Sequence, residues 1–200
     1  MSLKTFTGEA VNNFQTTSAL VPSSRFLTRA LLAPLPLAQA RCVVEFGPGT
    51  GTITRALLDA LPAQATLLSF EINPRFCSYI RRNFSDPRLL VVPASAEQVA
   101  QELTARGIRQ VDAAVSSLGL TLMSAERRLA ILRGLVAFLS PASVFTQFQY
   151  LHGLLAYFQL CDGSIQRFTA ARLLRGYFAR VSSRVIWRNL PPALVFTCQR

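Results

Sequence analysis

The stretch VVEFGPGTGTITRALL, Val43 to Leu58, carries an apolar run into an amphipathic one through glycines at 47, 49 and 51. The first run is β-branched and apolar, while the second repeats its apolar residues at helical spacing, so the segment reads as strand, turn and helix. Glycines at such a turn let a ligand lie against bare backbone. The dinucleotide fingerprint Gly-x-Gly-x-x-Gly needs its last glycine at position 52, where the chain has Thr52. Pro48 also removes an N–H donor that a pyrophosphate would use. The loop therefore suits a nucleoside without phosphates. Glu71, with Ile72 beside it, closes the next apolar run at the place where an acidic side chain accepts both ribose hydroxyls.

Outward from that stretch, short β-branched runs alternate with helical patterns. CVVEF is followed by ITRALLDAL, TLLSFEI by PRFCSYIRRNF, LLVVPA by AEQVAQELTAR, and DAAVSSL by SAERRLAILRGLVAFL; VFTQFQY closes the series. This alternation predicts a parallel sheet with helices on both faces. Ahead of it, Ser23 or Ser24 is an N-cap for a helix over 24–33, which Pro34 and Pro36 stop. At the far end RVIWRNL and ALVFTCQR are too close for a crossover helix and should pair antiparallel. The prediction is an α/β, Rossmann-like sheet of seven strands, mostly parallel and ending in an antiparallel hairpin. That is the layout of class I methyltransferases. Half of the 200 residues are hydrophobic, enough for one domain over 1–200 with an N-terminal segment at 1–22.

Twenty-one basic residues against ten acidic ones give a formal charge of +11, which calls for a polyanionic partner such as an anionic membrane or nucleic acid. Cys42, Cys77, Cys161 and Cys198 lack metal-ligand spacing and read as reduced core thiols, with no metal expected. The start of the chain lacks a signal-peptide pattern. No apolar run is long enough to span a bilayer, so membrane contact is expected to be peripheral.

Glu45 before the glycines, the Gly-x-Gly-x-Gly itself and Glu71 at the end of the next strand together resemble the S-adenosylmethionine site of class I methyltransferases. The resemblance implies that Glu45 orients the methionyl end and that Gly47, Gly49, Thr50 and Gly51 lie beneath the cofactor. It implies further that Glu71 and Ile72 meet the ribose end, that Ser95 and Ala96 flank the adenine, and that S-adenosylhomocysteine is the product. Ser116, just past the fourth strand, either faces the methionyl group or the acceptor, or caps its own loop.

Adenine-amino methylases of DNA and RNA carry Asn-Pro-Pro-Tyr after the fourth strand, to bond the amino group and stack on the flipped base. Here that place reads Ser116-Ser117-Leu118-Gly119-Leu120, without amide or aromatic platform. From about residue 18 onward the chain resembles the bacterial phospholipid N-methyltransferases of the PmtA type. The resemblance is carried by SALVPSSRFLTRAL, VVEFGPGTGTITRALL, FEINPRF, DAAVSSLGLTLM, FTQFQY and WRNLPPALVF. It implies methylation of phosphatidylethanolamine, and of its methylated derivatives, toward phosphatidylcholine by a monomer on the inner face of the plasma membrane. RNA is not the expected partner.

A primary ammonium, with a pKa of roughly 10, must lose its proton before it accepts a methyl group. Phe148 and Tyr150, at alternating positions of one strand, form a face for cation-π contact with the amine. His152, just past the strand end, is either a base or a packing histidine. For the lipid itself, residues 165–184 place Arg172, Arg175 and Arg180 opposite an apolar arc, as a basic amphipathic helix that lies on the bilayer or merely covers the sheet. Leu3, Phe6, Ala10 and Phe14 also recur at helical spacing, as a cap on the cleft or a membrane segment. Ser24 and Arg25 offer a phosphate site at a helix N-terminus, or only a cap. The rivals are an rRNA adenine methylase, a methyltransferase for a soluble small molecule, and a lipid- or RNA-binding protein without turnover.

Overall fold

Strand β1 (Cys42–Phe46) is buried along its whole length, as a strand covered on both faces must be. The computed structural model describes residues 24–151, 158–161, 164–167 and 170–200. Helix α1 (Arg25–Leu32) precedes β1, with the Ser24 hydroxyl accepting the Leu27 N–H at 3.2 Å as its N-cap. Then follow α2 (Thr52–Ala60), β2 (Thr66–Phe70), α3 (Pro74–Asn83), β3 (Leu89–Val92), α4 (Val99–Ala105), β4 (Val111–Ser116), α5 (Ala125–Val136) and β5 (Leu139–Tyr150). A two-stranded ribbon of β6 (Phe158–Cys161) and β7 (Ser164–Arg167) comes next. Helix α6 (Ala170–Arg175) and the strands β8 (Arg180–Ile186) and β9 (Ala193–Gln199) finish the chain.

The main sheet has the order β3-β2-β1-β4-β5-β9-β8. Neighbours among the first five strands run parallel, and β9 pairs antiparallel with both β5 and β8. This is the predicted architecture, hairpin included. Alternating residues send two cores to opposite faces. Val43, Leu67, Ala113, Val115 and Phe148 pack with Leu27 and Leu31 of α1 and Leu57 of α2. Val44, Leu68, Ala114, Phe145 and Phe196 pack with Leu103, Leu132 and Leu174 from the helices of the other face. Cys42, Cys77 and Cys198 are buried free thiols, and burial pushes Cys42 and Cys198 up to about 12.

The segment expected as one basic amphipathic helix over 165–184 is not one. It contains β7, the six-residue α6 and most of β8, with Arg180 at the first position of a strand. The apolar arc read there, Ala170, Leu174 and Phe178, packs into the core against the sheet. Helix α6 ends before Gly176, and RVSSRVI then pairs residue for residue with β9. Helical spacing across 165–184 thus merged one short helix with a strand whose Val181 and Val185 favour extended backbone. Arg172, Arg175 and Arg180 are exposed. Residues 1–23, with Leu3, Phe6, Ala10 and Phe14, and also His152, lie outside the described residues. No helix among the described residues is long and apolar enough to cross a membrane.

Candidate active site

The C-terminal ends of β1, β2, β4 and β5 share one edge of the sheet, where ligands bind in doubly wound folds. Glu45, one residue before the end of β1, is fully buried there. Its Oε2 accepts from the Ser69 hydroxyl of β2 and, at 2.8 Å, from the Thr54 hydroxyl of α2. Its Oε1 is buried with no partner among the described residues. Burial raises the Glu45 carboxyl to about 7, against the two hydroxyl donors, and the nearby Glu71 pushes in the same direction as burial. A carboxyl with one oxygen satisfied and the other orphaned is built to receive a donor, such as the ammonium of a methionyl group.

The glycine loop spends its own donors internally. The Gly47 N–H reaches Phe70 O at 3.0 Å and the Gly51 N–H reaches Pro48 O at 2.8 Å. The Gly49 N–H goes to Glu71 Oε2 at 3.3 Å. No row of free N–H groups is left for a phosphate at these three residues, in keeping with the nucleoside reading of Pro48. The glycines also differ in purpose. A Cβ on Gly49, whose φ is +55°, would meet nothing within 4 Å, so the space above it is open to a ligand. A Cβ on Gly51 would come within 2.5 Å of the Phe84 ring, so this glycine serves close packing. Thr50 is exposed on the loop between them.

Glu71 stands one residue past β2, nearly buried, and also accepts the Asn73 N–H at 2.8 Å. Burial raises its pKa and the backbone donors hold the rise in check. Ile72 beside it is 68% exposed, an apolar side chain presented where an adenosine would cover it. Ser95 is occupied locally: it caps the turn Ala96–Gln98 through a capping box, and its hydroxyl also meets Glu97 at 3.0 Å. Ala96 is buried against the core. The Ser116 hydroxyl accepts the Leu118 N–H at 3.2 Å, which is the loop-capping role.

The residues expected at the acceptor lie on β5, which outruns its parallel neighbour. Ser116 is the last residue of β4 and pairs with Gln147, so Phe148, Gln149 and Tyr150 extend past it, bonded on their other side to β9. Phe148 and Tyr150 do share a face, their rings 5.3 Å apart and edge to face. Phe148, however, is only 8% exposed and belongs to the core beneath α1, so Tyr150 alone of the pair reaches the rim. Burial raises the Tyr150 phenol. On the opposite face of β5, the Gln147 amide donates to Leu118 O at 2.8 Å and so ties down the loop after β4. Arg128 of α5 ties the same loop at Leu120 O, 3.1 Å away. A Cβ on Gly47 would meet Leu118 at 3.1 Å, so this loop leans directly on the cofactor turn. Both polar atoms of the Gln149 carboxamide, and Oε1 of Gln147, are buried and unpartnered among the described residues. Neither glutamine was singled out from sequence; polar residues at alternate positions of an otherwise apolar strand were the available signal. Ser24 serves as the α1 cap, and the Arg25 guanidinium lies 4.9 Å from the Phe26 ring centre.

No family model matches the chain. An ornithine lipid N-methyltransferase of Singulisphaera acidiphila is 29% identical over 195 residues, 97% of this chain and 94% of that protein. A ribosomal RNA small subunit methyltransferase H of Bordetella pertussis is 39% identical, but over only 42% of this chain and 24% of that one. Among solved structures, an O-methyltransferase from Bacillus cereus in complex with SAH superposes with a TM-score of 0.69 at 16% identity, covering 97% of this chain and 90% of that one. The chain has the class I methyltransferase fold. A precorrin-6y C5,15-methyltransferase from Geobacter metallireducens shares the fold at a TM-score of 0.66 and 14% identity, over 90% of this chain and 91% of that one. On this fold the residues fit S-adenosylmethionine chemically: the orphaned Glu45 oxygen for a cation, the open space over Gly49, and the Glu71 carboxylate for hydroxyl donors.

Proposed function

We propose that the protein is an S-adenosylmethionine-dependent methyltransferase that methylates the amine of a lipid headgroup at a membrane surface. The observation that carries this reading is the similarity over 97% of the chain to an enzyme named for ornithine lipid, because that span takes in the β5–β9 end where an acceptor must sit. Phosphatidylethanolamine is the acceptor implied by the resemblance to phospholipid N-methyltransferases. Ornithine, like ethanolamine, offers a primary amine.

S-adenosylmethionine supplies a methyl group already activated on a sulfonium, so the chain's own work is to bind, orient and desolvate. Glu45 and Glu71 hold the two ends of the cofactor. The loop after β4, fixed by Gln147 and Arg128, forms the floor between cofactor and acceptor. At the acceptor end the Tyr150 ring tolerates a cationic headgroup through its face. Gln149 shares the other face of β5 with Gln147, so it does not meet the same group as Tyr150. Removal of water beside Tyr150 lowers the pKa of an ammonium and favours the neutral amine that reacts.

The positive charge and the partial similarity to an rRNA methyltransferase favour RNA as a second reading. One experiment separates the two. Protein and methyl-labelled S-adenosylmethionine are incubated in parallel with phosphatidylethanolamine vesicles, ornithine-lipid vesicles and total RNA. Label is expected in lipid, in one or both vesicle samples; label in RNA alone would refute the lipid reading.

A further inference from the structure

The last 38 residues, 163–200, contain seven arginines and no aspartate or glutamate. Within them, the turn joining β8 to β9 exposes the two barest large apolar side chains among the described residues. Trp187 is 73% exposed and Leu190 is 85% exposed. Between them Asn189 is buried, its Oδ1 accepting the Ser24 N–H at 3.2 Å and its Nδ2 donating to Pro191 O at 2.7 Å. The turn is therefore held rigidly against the start of α1 while its apolar tips point outward. Beside it the guanidinium groups of Arg25 and Arg188 converge on one ring, 4.9 and 5.4 Å from the centre of Phe26. Neither takes part in an ion pair among the described residues. Two like charges gathered at one ring, with no carboxylate answering them, form a site for an anion.

The position of the turn matters as much as its composition. Ala193 pairs with Tyr150 on one side and with Ile186 on the other, so the three make the last row of the sheet at the acceptor end. The Leu151 N–H continues the contact to Pro192 O at 2.9 Å. The turn thus overhangs the same edge as the cofactor loop, next to Tyr150.

We infer that the β8–β9 turn docks on an anionic phospholipid bilayer, with Trp187 and Leu190 entering the interface and Arg25 and Arg188 sharing a lipid phosphate. A tryptophan with an apolar body and a polar N–H favours the headgroup boundary, and arginines add attraction to anionic lipid. Docking by this turn sets the acceptor end against the lipid, so a headgroup amine needs only a short lift to reach Tyr150. This inference rests on the lipid reading above and adds to it the surface that meets the membrane.

Trp187 is the only tryptophan of the chain, so its fluorescence reports on the turn directly. The protein is mixed with phosphatidylcholine vesicles with or without phosphatidylglycerol, some carrying brominated acyl chains. The expected result is a blue shift and quenching by the brominated chains when phosphatidylglycerol is present, reduced by high salt. Trp187→Ser/Leu190→Ser should bind these vesicles on the order of tenfold more weakly, with cofactor affinity and methylation of phosphatidylethanolamine in detergent micelles unchanged. The inference is overturned if Trp187 is already blue-shifted and shielded from iodide without lipid, covered by residues 1–23 or by a second copy. It is equally overturned if the wild type binds vesicles with Trp187 unquenched, or if the double variant binds as well as the wild type. Quenching without lipid methylation sinks the lipid-substrate reading and leaves the docking surface; methylation without quenching does the reverse.

Discussion

At the β1–β2 end of the cleft the loop N–H groups of Gly47, Gly49 and Gly51 all have partners, and the two acids are braced by hydroxyl and backbone donors. At the β5 end, a short step along the same edge, both polar atoms of Gln149 are buried with no partner among the described residues, and the neighbouring turn bares a tryptophan and a leucine. The first end is finished in the free protein except for one oxygen of Glu45. The second leaves buried polar atoms unpaired among the described residues and large apolar side chains in solvent. Cofactor binding asks a preorganised backbone to meet one fixed molecule, whereas acceptor binding asks side chains from distant strands to meet a group presented from outside.

Variants can break that contrast, and the largest effect is expected at Glu45. Its carboxyl is raised from 4.5 to about 7, so the folded state holds a proton that the unfolded chain gives up between those values. Stability should therefore be full below about pH 4.5 and fall as pH rises to about 7. The loss is up to about 3 kcal/mol, at about 1.4 kcal/mol per pH unit. Glu45→Gln should flatten this dependence in denaturant titrations of the free protein; an unchanged slope would place the proton elsewhere. Saturating cofactor should also flatten it in the wild type, if a cation of the ligand meets the orphaned oxygen.

Next in size, Glu71→Ala should weaken cofactor affinity by about 2 kcal/mol, or roughly thirtyfold, since it removes charge-assisted hydrogen bonds. Calorimetry with S-adenosylhomocysteine reads this directly, and unchanged affinity would deny Glu71 the ribose. Gly51→Ala should cost about 2 kcal/mol of fold stability, because its φ of +82° strains any side chain and the new methyl meets Phe84. The Gly51→Ala/Phe84→Leu pair should recover part of that loss in thermal melts, which a glycine needed only for the cofactor would not show.

The smallest effect sharpens the other end. Gln149→Leu removes a carboxamide that has no partner among the described residues, so stability should hold or rise slightly. Cofactor affinity and kcat/KM for the lipid acceptor should both stay within about twofold, since this side chain faces away from Tyr150. A clear loss of stability in denaturant titrations would mean that the carboxamide is paired in the fold.

The strands and helices around the sheet were legible because each carries a local signal: glycines at the turn, β-branched runs, serine caps and connection lengths. The segment 165–184 misled because helical spacing persisted by chance across the junction of α6 and β8. Tertiary pairing with β9 decided it, since seven residues of ladder outweigh a weak helical pattern in Arg-Val-Ser-Ser-Arg.

By itself the sequence determined the alternation of strands and helices with its closing hairpin, the cofactor turn and the acid that follows β2, because these rest on neighbours within a few residues or on one connection length. Only the tertiary structure separated Gly49, open above, from Gly51, packed on Phe84. It alone set Asn189 against Ser24, put Gln149 beyond the end of β4, and brought the Trp187 turn beside Tyr150. Those relations join residues far apart in the chain, and they exist only once the strands have paired in register and the backbone has chosen which side chains face the cleft, the core or the water.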